Sequence, residues 1–257
     1  MMDSNSLTSH RPESLLEICT DSADTALAAE SAGADRIELC CAIESGGLSP
    51  SYGCIKRCVE LLKIPVNVLI RPRGGDFCYS ENDFLQMMED IAISKAAGAQ
   101  GIVSGVLNPD GSVDTRRTKL LIKHTQPLSF TFHRAFDLSK DPYRALEDII
   151  RCGASRLLSS GQQVSAEEGL ALLCELAALA RNRIIIMPGA GIDAQSIAKL
   201  LAQNVFTEYH MTARTFSKAD SSHRIQSGLS GRDPIAQEGF WRTDIQKINS
   251  VKQRMNS

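Results

Sequence analysis

The chain has 257 residues, of which 43% are hydrophobic and 23% charged, a composition typical of a folded globular protein. Its formal net charge of -2 and its pI near 6.2 argue against a general nucleic-acid binder, which is usually basic. No apolar run approaches the roughly 20 residues that cross a bilayer, so a membrane-spanning protein is not expected.

The chain opens on a polar segment, residues 1–14, which lacks the apolar core of a signal peptide and is predicted to be a disordered tail. Helical patterns then alternate with short apolar runs. Several helices open on the Asp or Ser expected at an N-cap, and Pro142 lies just inside its helix. The apolar runs are predicted to be eight strands, at residues 15–20, 36–40, 65–71, 101–107, 128–134, 155–160, 183–189 and 207–213.

A short motif recurs where a helix gives way to a strand: SAGADRIELC at 31–40, AAGAQGIVSG at 96–105 and RCGASRLLSSG at 151–161. In each, glycine follows the last helical turn, a position that favours it because it tolerates left-handed dihedral angles. Alternating strands and helices imply parallel strands with crossover helices. Eight such units predict a single α/β domain over residues 15–257, a TIM (β/α)8 barrel, with a doubly wound open sheet as the alternative.

One segment interrupts this alternation near the carboxyl end of the chain. Residues 217–235 are rich in Ser and Gly and show no periodicity. A long loop in a compact domain is usually functional or disordered. Because this one follows the eighth strand, it is predicted to lie over the mouth of the barrel, before a last helix at residues 243–255.

The parity of each strand predicts which side chains point into the barrel, because the outer face packs under helices and must be apolar. Burying many polar groups costs free energy unless they pair. Their convergence at the C-terminal ends of the strands predicts a functional site, with a self-satisfied core network as the alternative. The inward polar residues are Glu17 and Cys19, Glu38 and Cys40, Asn67 and Arg71, Thr131 and His133, and Glu208, His210 and Thr212.

Anion-binding groups are predicted beside this cluster. The run MPGAGID at 187–193 places Gly189 and Gly191 in a turn directly before a helix, where backbone N–H groups attract phosphate or carboxylate. Arg71, Arg73 and His210 complete the predicted anion-binding set. Arg73 and Asp76 fit a simple ion pair at the rim equally well.

The eight cysteines are scattered, without the tandem CxxC pairs of a zinc ribbon. Cys19 and Cys40 occupy matching inward positions on the first two strands. Two such thiols could hold Cu(I), which prefers soft ligands, although cysteine is also a common small core residue. Cys54 and Cys58, four residues apart on a helix, are expected to be structural.

Several motifs of other enzyme classes are absent. No lysine lies on the inward face of a predicted strand, which disfavours a Schiff-base aldolase. The sequence contains no P-loop, no HExxH and no GxSxG.

Five separated segments together resemble the CutC family of copper homeostasis proteins: LEICTDSADTALAAESAGADRIELC, ESGGLSPSYG, IRPRGGDFCYS, FTFHRAFD and MPGAGI. The resemblance runs from about residue 15 to 235, and departs mainly at YHMTARTF and at Cys41. It implies a TIM barrel, a cytoplasmic location and a homodimer or homotetramer. It also implies Cu(I) binding by the two cysteines of the first strands, here Cys19 and Cys40.

Three functional hypotheses follow from these residues. The first is a copper homeostasis protein in which Cys19 and Cys40 coordinate Cu(I). The alternative is a metal-independent enzyme, of lyase or isomerase type, acting on a small anionic substrate that carries a phosphate or carboxylate group. In that case Glu17, Glu38 and His133 move protons and need no cofactor. A binding protein without chemistry is the third reading.

Overall fold

The structure, a computed structural model, describes residues 14–218 and 239–257. The predicted tail lies outside the described residues up to residue 13, and the predicted mouth loop lies outside them from residue 219 onward. In the part of the chain that is described, no helix is long and apolar enough to cross a membrane.

The predicted TIM barrel is confirmed. Its strands run in the order β7-β6-β5-β4-β3-β2-β1-β8, all pairs parallel, and the ring closes between β7 and β8 through one bridge, Gly189 to His210. Each strand is found where it is predicted, most of them trimmed at the ends. The bounds are β1 Leu15–Thr20, β2 Arg36–Leu39, β3 Val66–Leu69, β4 Gly101–Ser104, β5 Ser129–Phe132, β6 Arg156–Ser159, β7 Ile185–Pro188 and β8 Glu208–Met211.

Helices cover the outside of the ring, and their ends follow from local sequence. Ser22 and Ser80 each cap a helix through a reciprocal pair of bonds with the residue three positions on. The glycine of each repeated motif has a positive φ, as the cap prediction requires: Gly33, Gly98 and Gly153. The helices are α1 Ala23–Ser31, α2 Tyr52–Leu61, α3 Glu81–Ala96, α4 Thr115–Thr125, α5 Pro142–Cys152, α6 Leu170–Ala180, α7 Ser196–Ala202 and α8 Ile245–Met255.

The main hydrophobic core lies between the ring of strands and the helices. Leu16 and Ile18 of β1 and Ile37 and Leu39 of β2 are fully buried there, so the predicted outward parity is confirmed. The other faces of the strands meet inside the ring, and there charged and polar side chains are buried.

A two-stranded antiparallel ribbon beside the barrel is not predicted by the sequence. It pairs β9, Arg214–Lys218, with β10, Gly239–Thr243. Ser217 and Lys218, which the sequence places at the start of the loop, are the last residues of β9. The rings of Phe216 and Trp241 pack edge to face across the ribbon, with centroids 5.5 Å apart.

Candidate functional site

A cavity of about 300 Å³ opens at the C-terminal ends of the barrel strands. This is the end of the barrel at which the sequence predicts a site. The lining residues are Cys19, Glu38, Ile43, Gly46, Gly47, Leu69, Arg71, Phe77, His133, Arg134, Leu158, Ala190, Gly191, Ile192, His210, Met211, Thr212 and Arg214.

Three potential metal ligands converge on the floor of this cavity. One ligand atom each from Cys19, Glu38 and His210 lies within 4.8 Å of the other two, and all three residues are buried. They come from the neighbouring strands β1, β2 and β8, since β1 pairs with both of the others. The sequence predicted each residue to point inward but gave no reason to group these three.

Cys40 extends this group behind the cavity wall. Its Sγ lies 3.5 Å from the Sγ of Cys19. Its side chain is fully buried and does not line the cavity, and Gly47 lies between it and the opening. A metal ion that enters the cavity therefore meets Cys19 before it meets Cys40.

The two cysteines are staggered rather than level, which differs from the prediction of matching positions. The residue opposite Cys19 on β2 is Glu38, so Cys40 lies two residues further along its strand. With strands about 4.8 Å apart and a rise of about 3.3 Å per residue, the two Cα atoms are about 8 Å apart. A disulfide needs less than about 7 Å, and both residues are free thiols in the structure.

Glu17 lies below the metal-ligand group and fixes the ring of His210. Its Oε1 is 2.9 Å from His210 Nδ1, while its Oε2 accepts from Arg36 Nε at 2.5 Å and from Asn67 Nδ2 at 3.2 Å. A carboxylate on one ring nitrogen orients a histidine so that its other nitrogen faces the ligand. Glu17 is therefore a supporting residue that does not line the cavity.

Arg36 is the centre of this interior network, and sequence reasoning missed it. Besides Glu17 it donates to Glu208 Oε2 at 2.5 Å, and Arg156 donates to the same oxygen at 2.6 Å. Burial alone lowers the pKa of Arg36, but Glu17 and Glu208 outweigh this and raise it, so the guanidinium stays charged. The sequence did contain a signal for it: Arg36 lies two residues before Glu38 on the same strand, so strand parity points its side chain into the barrel as well.

The charges at the floor of the cavity support one another. Burial lowers the pKa of His210, but Glu38, Cys19 and Glu17 together raise it well above its usual value. Burial raises the pKa of Glu17, and His210 and Arg36 more than reverse this. The acidic groups beside His210 therefore favour the protonated form of its ring when no metal is bound.

Cys19 and Glu38 hold their protons more strongly than exposed groups do. The hydrogen bond with Cys40, then burial, raises the pKa of Cys19 well above its usual value, and burial raises the pKa of Glu38. Because a metal binds the thiolate, binding here releases protons.

The donor set fits a soft metal ion. Thiolates select Cu(I) and zinc, and imidazole suits copper as well. Two sulfurs bonded at about 2.3 Å to one tetrahedral ion stand about 3.8 Å apart, so the observed 3.5 Å needs only a small opening. Glu38 Oε2 is buried and has no hydrogen-bond partner among the described residues, which leaves this oxygen free to accept a hydrogen bond.

The opposite wall of the cavity carries Arg71 and His133, both predicted to be site residues. Arg71 donates to the backbone oxygens of Ser45, Gly47 and Gly75. His133 Nδ1 accepts from the backbone N–H of Ala135. The Arg71 Nε and His133 Nε2 atoms are buried without a partner among the described residues.

The other residues of the predicted anion-binding set divide between the cavity and its surroundings. Gly191, with φ +67°, lines the cavity, and so does His210. Gly189 does not; a Cβ there would stand 2.5 Å from Leu158, so glycine allows β7 to close against its neighbours. Arg73 also lies outside the cavity, where it pairs with Asp76 and Asp83, the simple ion pair that the sequence allowed.

Comparison with known proteins identifies relatives over nearly the whole chain. The model of the CutC family matches residues 14–215. A CutC family protein of Pasteurella multocida is 41% identical over 92% of this chain and 97% of its own length, and the human copper homeostasis protein cutC homolog is 40% identical over 92% and 87%. The crystal structure of CutC from Streptococcus agalactiae superposes with a TM-score of 0.73 at 30% identity, covering 77% of this chain and 98% of that one.

Proposed function

This chain belongs to the CutC family, and from that premise we propose that it binds Cu(I) as cargo at the mouth of its barrel. Cys19 and Cys40 supply the sulfur ligands, and His210 supplies an imidazole nitrogen. Glu38 lies close enough to accept the proton of a thiol or to approach the ion. Glu17 keeps the ring of His210 in position from below.

The observation that carries this proposal is the convergence of soft ligands at the floor of an open cavity. The Cys19 and Cys40 sulfurs are 3.5 Å apart, and ligand atoms of Cys19, Glu38 and His210 lie within 4.8 Å of one another. A core that only needed small side chains would not require a histidine and a glutamate beside the sulfurs, because burying them is costly.

A Cys19→Ser, Cys40→Ser double variant should bind Cu(I) at least about 100-fold more weakly than the unchanged protein. This exceeds the ten- to hundredfold that losing one outer partner of a metal ligand typically costs. The measurement is a titration of Cu(I) against a competing colorimetric chelator, under nitrogen, with circular dichroism to confirm that the variant is folded.

The matched control is Cys54→Ser, Cys58→Ser, which removes the other pair of contacting thiols, on α2 away from the cavity. Its Cu(I) affinity should stay within about twofold of the unchanged protein, since neither thiol lines the mouth. Equal affinity in the two double variants would reject copper binding at Cys19 and Cys40.

A second candidate function is a metal-independent enzyme, of lyase or isomerase type, acting on a small anionic substrate. It is supported by two buried polar atoms of the cavity wall, Glu38 Oε2 and His133 Nε2, which lack partners among the described residues. In this function Glu38 and His133 exchange protons with the substrate, Glu17 acts through His210, and Arg71 with Gly191 holds the anion.

If this second function is correct, Glu38→Gln and His133→Asn should each lower turnover by about 100-fold or more, the range expected when a proton-transferring group is lost. The assay is a screen of phosphorylated and carboxylated sugars by NMR. His124→Asn on α4 serves as the control. Full turnover in both variants would remove these residues from any catalytic role.

We also propose a cytoplasmic location and a homodimer or homotetramer. All eight cysteines are free thiols, which agrees with a reducing compartment. The assembly rests on the resemblance to the CutC family, and light scattering on a sizing column measures it directly.

A further inference from the structure

Arg71 carries a buried positive charge that no acidic side chain in the described part of the chain neutralises. It is 6% exposed, its guanidinium stacks 4.9 Å over the Phe77 ring, and it donates to backbone oxygens. Among the described residues it forms no ion pair. A buried charge is normally paired, so an anion bound at this wall of the cavity would stabilise the Arg71 guanidinium.

His133 presents a second unused donor to the same cavity. Its Nδ1 accepts from Ala135 N–H, so in the neutral ring the proton is on Nε2, which has no partner among the described residues. Burial, reinforced by Arg71 and Arg134, lowers the pKa of His133 to about 3, so the ring is neutral in the cell. A neutral N–H can donate to an anion but not bind a metal through the same atom.

Arg214 contributes a third donor to the cavity. It lines the cavity, its guanidinium lies 5.1 Å over the Trp241 ring, and its Nη1 atom is buried without a hydrogen-bond partner within the described ranges. Arg134 also lines the cavity, but Asp137 neutralises it. We call the part of the cavity lined by Arg71, His133, Arg134 and Arg214 the upper cavity. It therefore carries more positive than negative charge.

The size of the cavity exceeds what a metal ion needs. Its volume of about 300 Å³ corresponds to roughly ten water molecules, at about 30 Å³ each. A Cu(I) ion at the floor would occupy a small part of that space. The remainder, with its three unused donors, fits an organic molecule of about ten heavy atoms.

We propose that the upper cavity is a binding subsite for the anionic group of a small organic molecule, a carboxylate or a phosphate, held by Arg71, His133 and Arg214. This inference deepens the proposed function, because the subsite shares a cavity with Cys19. Carboxylate and phosphate both accept in the planar geometry that a guanidinium offers. The molecule is either an anionic thiol that delivers Cu(I) to Cys19 or an anionic substrate.

Binding to the metal-free protein tests the subsite independently of copper. Calorimetric titration with succinate and with inorganic phosphate should show one site. Succinamide, which has the size of succinate without its charge, should bind at least about tenfold more weakly. If neither anion binds, or if succinamide binds as well as succinate, the subsite is rejected.

Variants assign the binding to the named donors. Arg214→Gln and His133→Asn should each weaken succinate binding by about tenfold, the effect of losing one hydrogen bond to a charged group, and Arg71→Gln should do so if it folds. The control is Arg73→Gln, which removes an arginine outside the cavity. An equal loss in Arg73→Gln would show a non-specific charge effect and overturn the assignment.

The rate of Cu(I) transfer separates the two sources of the anion. Stopped-flow transfer from the mercaptosuccinate complex should be slowed about tenfold by Arg214→Gln, while transfer from the dithiothreitol complex should not change, if the ligand is an anionic thiol. If Arg214→Gln leaves transfer from both carriers unchanged, while the unchanged protein does bind succinate, the subsite is assigned to an anionic substrate. Failure of the cysteine variants to lose copper would reject the proposed metal function and leave the anion titration unaffected.

Discussion

An Arg36→Met variant should lose about 3–5 kcal/mol of unfolding free energy, the typical cost of removing one partner from a buried ion pair. Arg36 is 4% exposed and donates to both Glu17 and Glu208. Methionine fills much of the volume, but among the described residues it leaves Glu17 with His210 and Asn67 alone, and Glu208 with Arg156 alone. Urea denaturation followed by circular dichroism measures the change.

Arg183→Met is the matched control. Arg183 also pairs with a glutamate, Glu147, but on the outer surface, where solvent screens the pair and its loss should change stability little. If Arg36→Met is too unstable to purify, Arg156→Met should show an intermediate loss, because Glu208 keeps Arg36. A stability of Arg36→Met equal to that of Arg183→Met would show that the network contributes nothing to folding.

The second large effect is a loss of stability in acid that depends on His133. Burial holds the pKa of His133 at about 3 in the folded protein, below its value of 6.5 in the unfolded chain. As the pH falls through 6.5, the unfolded chain takes up a proton that the folded protein does not. This stability is therefore fully present above pH 6.5 and is lost progressively toward pH 3.

His133→Asn removes this titration while keeping an acceptor for the N–H of Ala135. Between pH 6.5 and pH 5 the unchanged protein should lose about 1.6 kcal/mol more stability than the variant, because the slope rises from half of 1.36 kcal/mol per pH unit at pH 6.5 to nearly the full value at pH 5. Urea unfolding at both pH values gives the difference. The control is His124→Asn, which should follow the unchanged protein. Parallel losses in the unchanged protein and His133→Asn would mean that the ring takes up its proton while folded.

The sequence was sufficient to predict the barrel and most of its interior. Strand parity is a local property with a period of two, so the outward Leu16 and Ile18 identified Glu17 and Cys19 as inward without any long-range information. The same logic found Arg71, His133 and His210. Because parallel strands of a barrel share one C-terminal face, their convergence there followed from the fold.

What the sequence did not predict depends on register and distant partners. The stagger that sets Glu38, rather than Cys40, opposite Cys19 follows from how the whole ring closes. Arg36 was missed because a charged residue at the start of a strand is ordinarily solvent-exposed. The β9–β10 ribbon was missed because no turn signal links two segments so far apart in sequence.

The single bridge between Gly189 and His210 has a mechanical consequence. At that junction β7 and β8 share less pairing than other neighbours in the ring, and the residue that makes the bridge through its backbone also extends its imidazole toward the cysteines. A ligand bound to that imidazole would therefore also hold β7 and β8 together, at the junction of the ring with the least backbone pairing. The proposed binding of a metal ion by His210 would thus also stiffen the ring, and in the metal-free protein we expect local opening to begin at this junction.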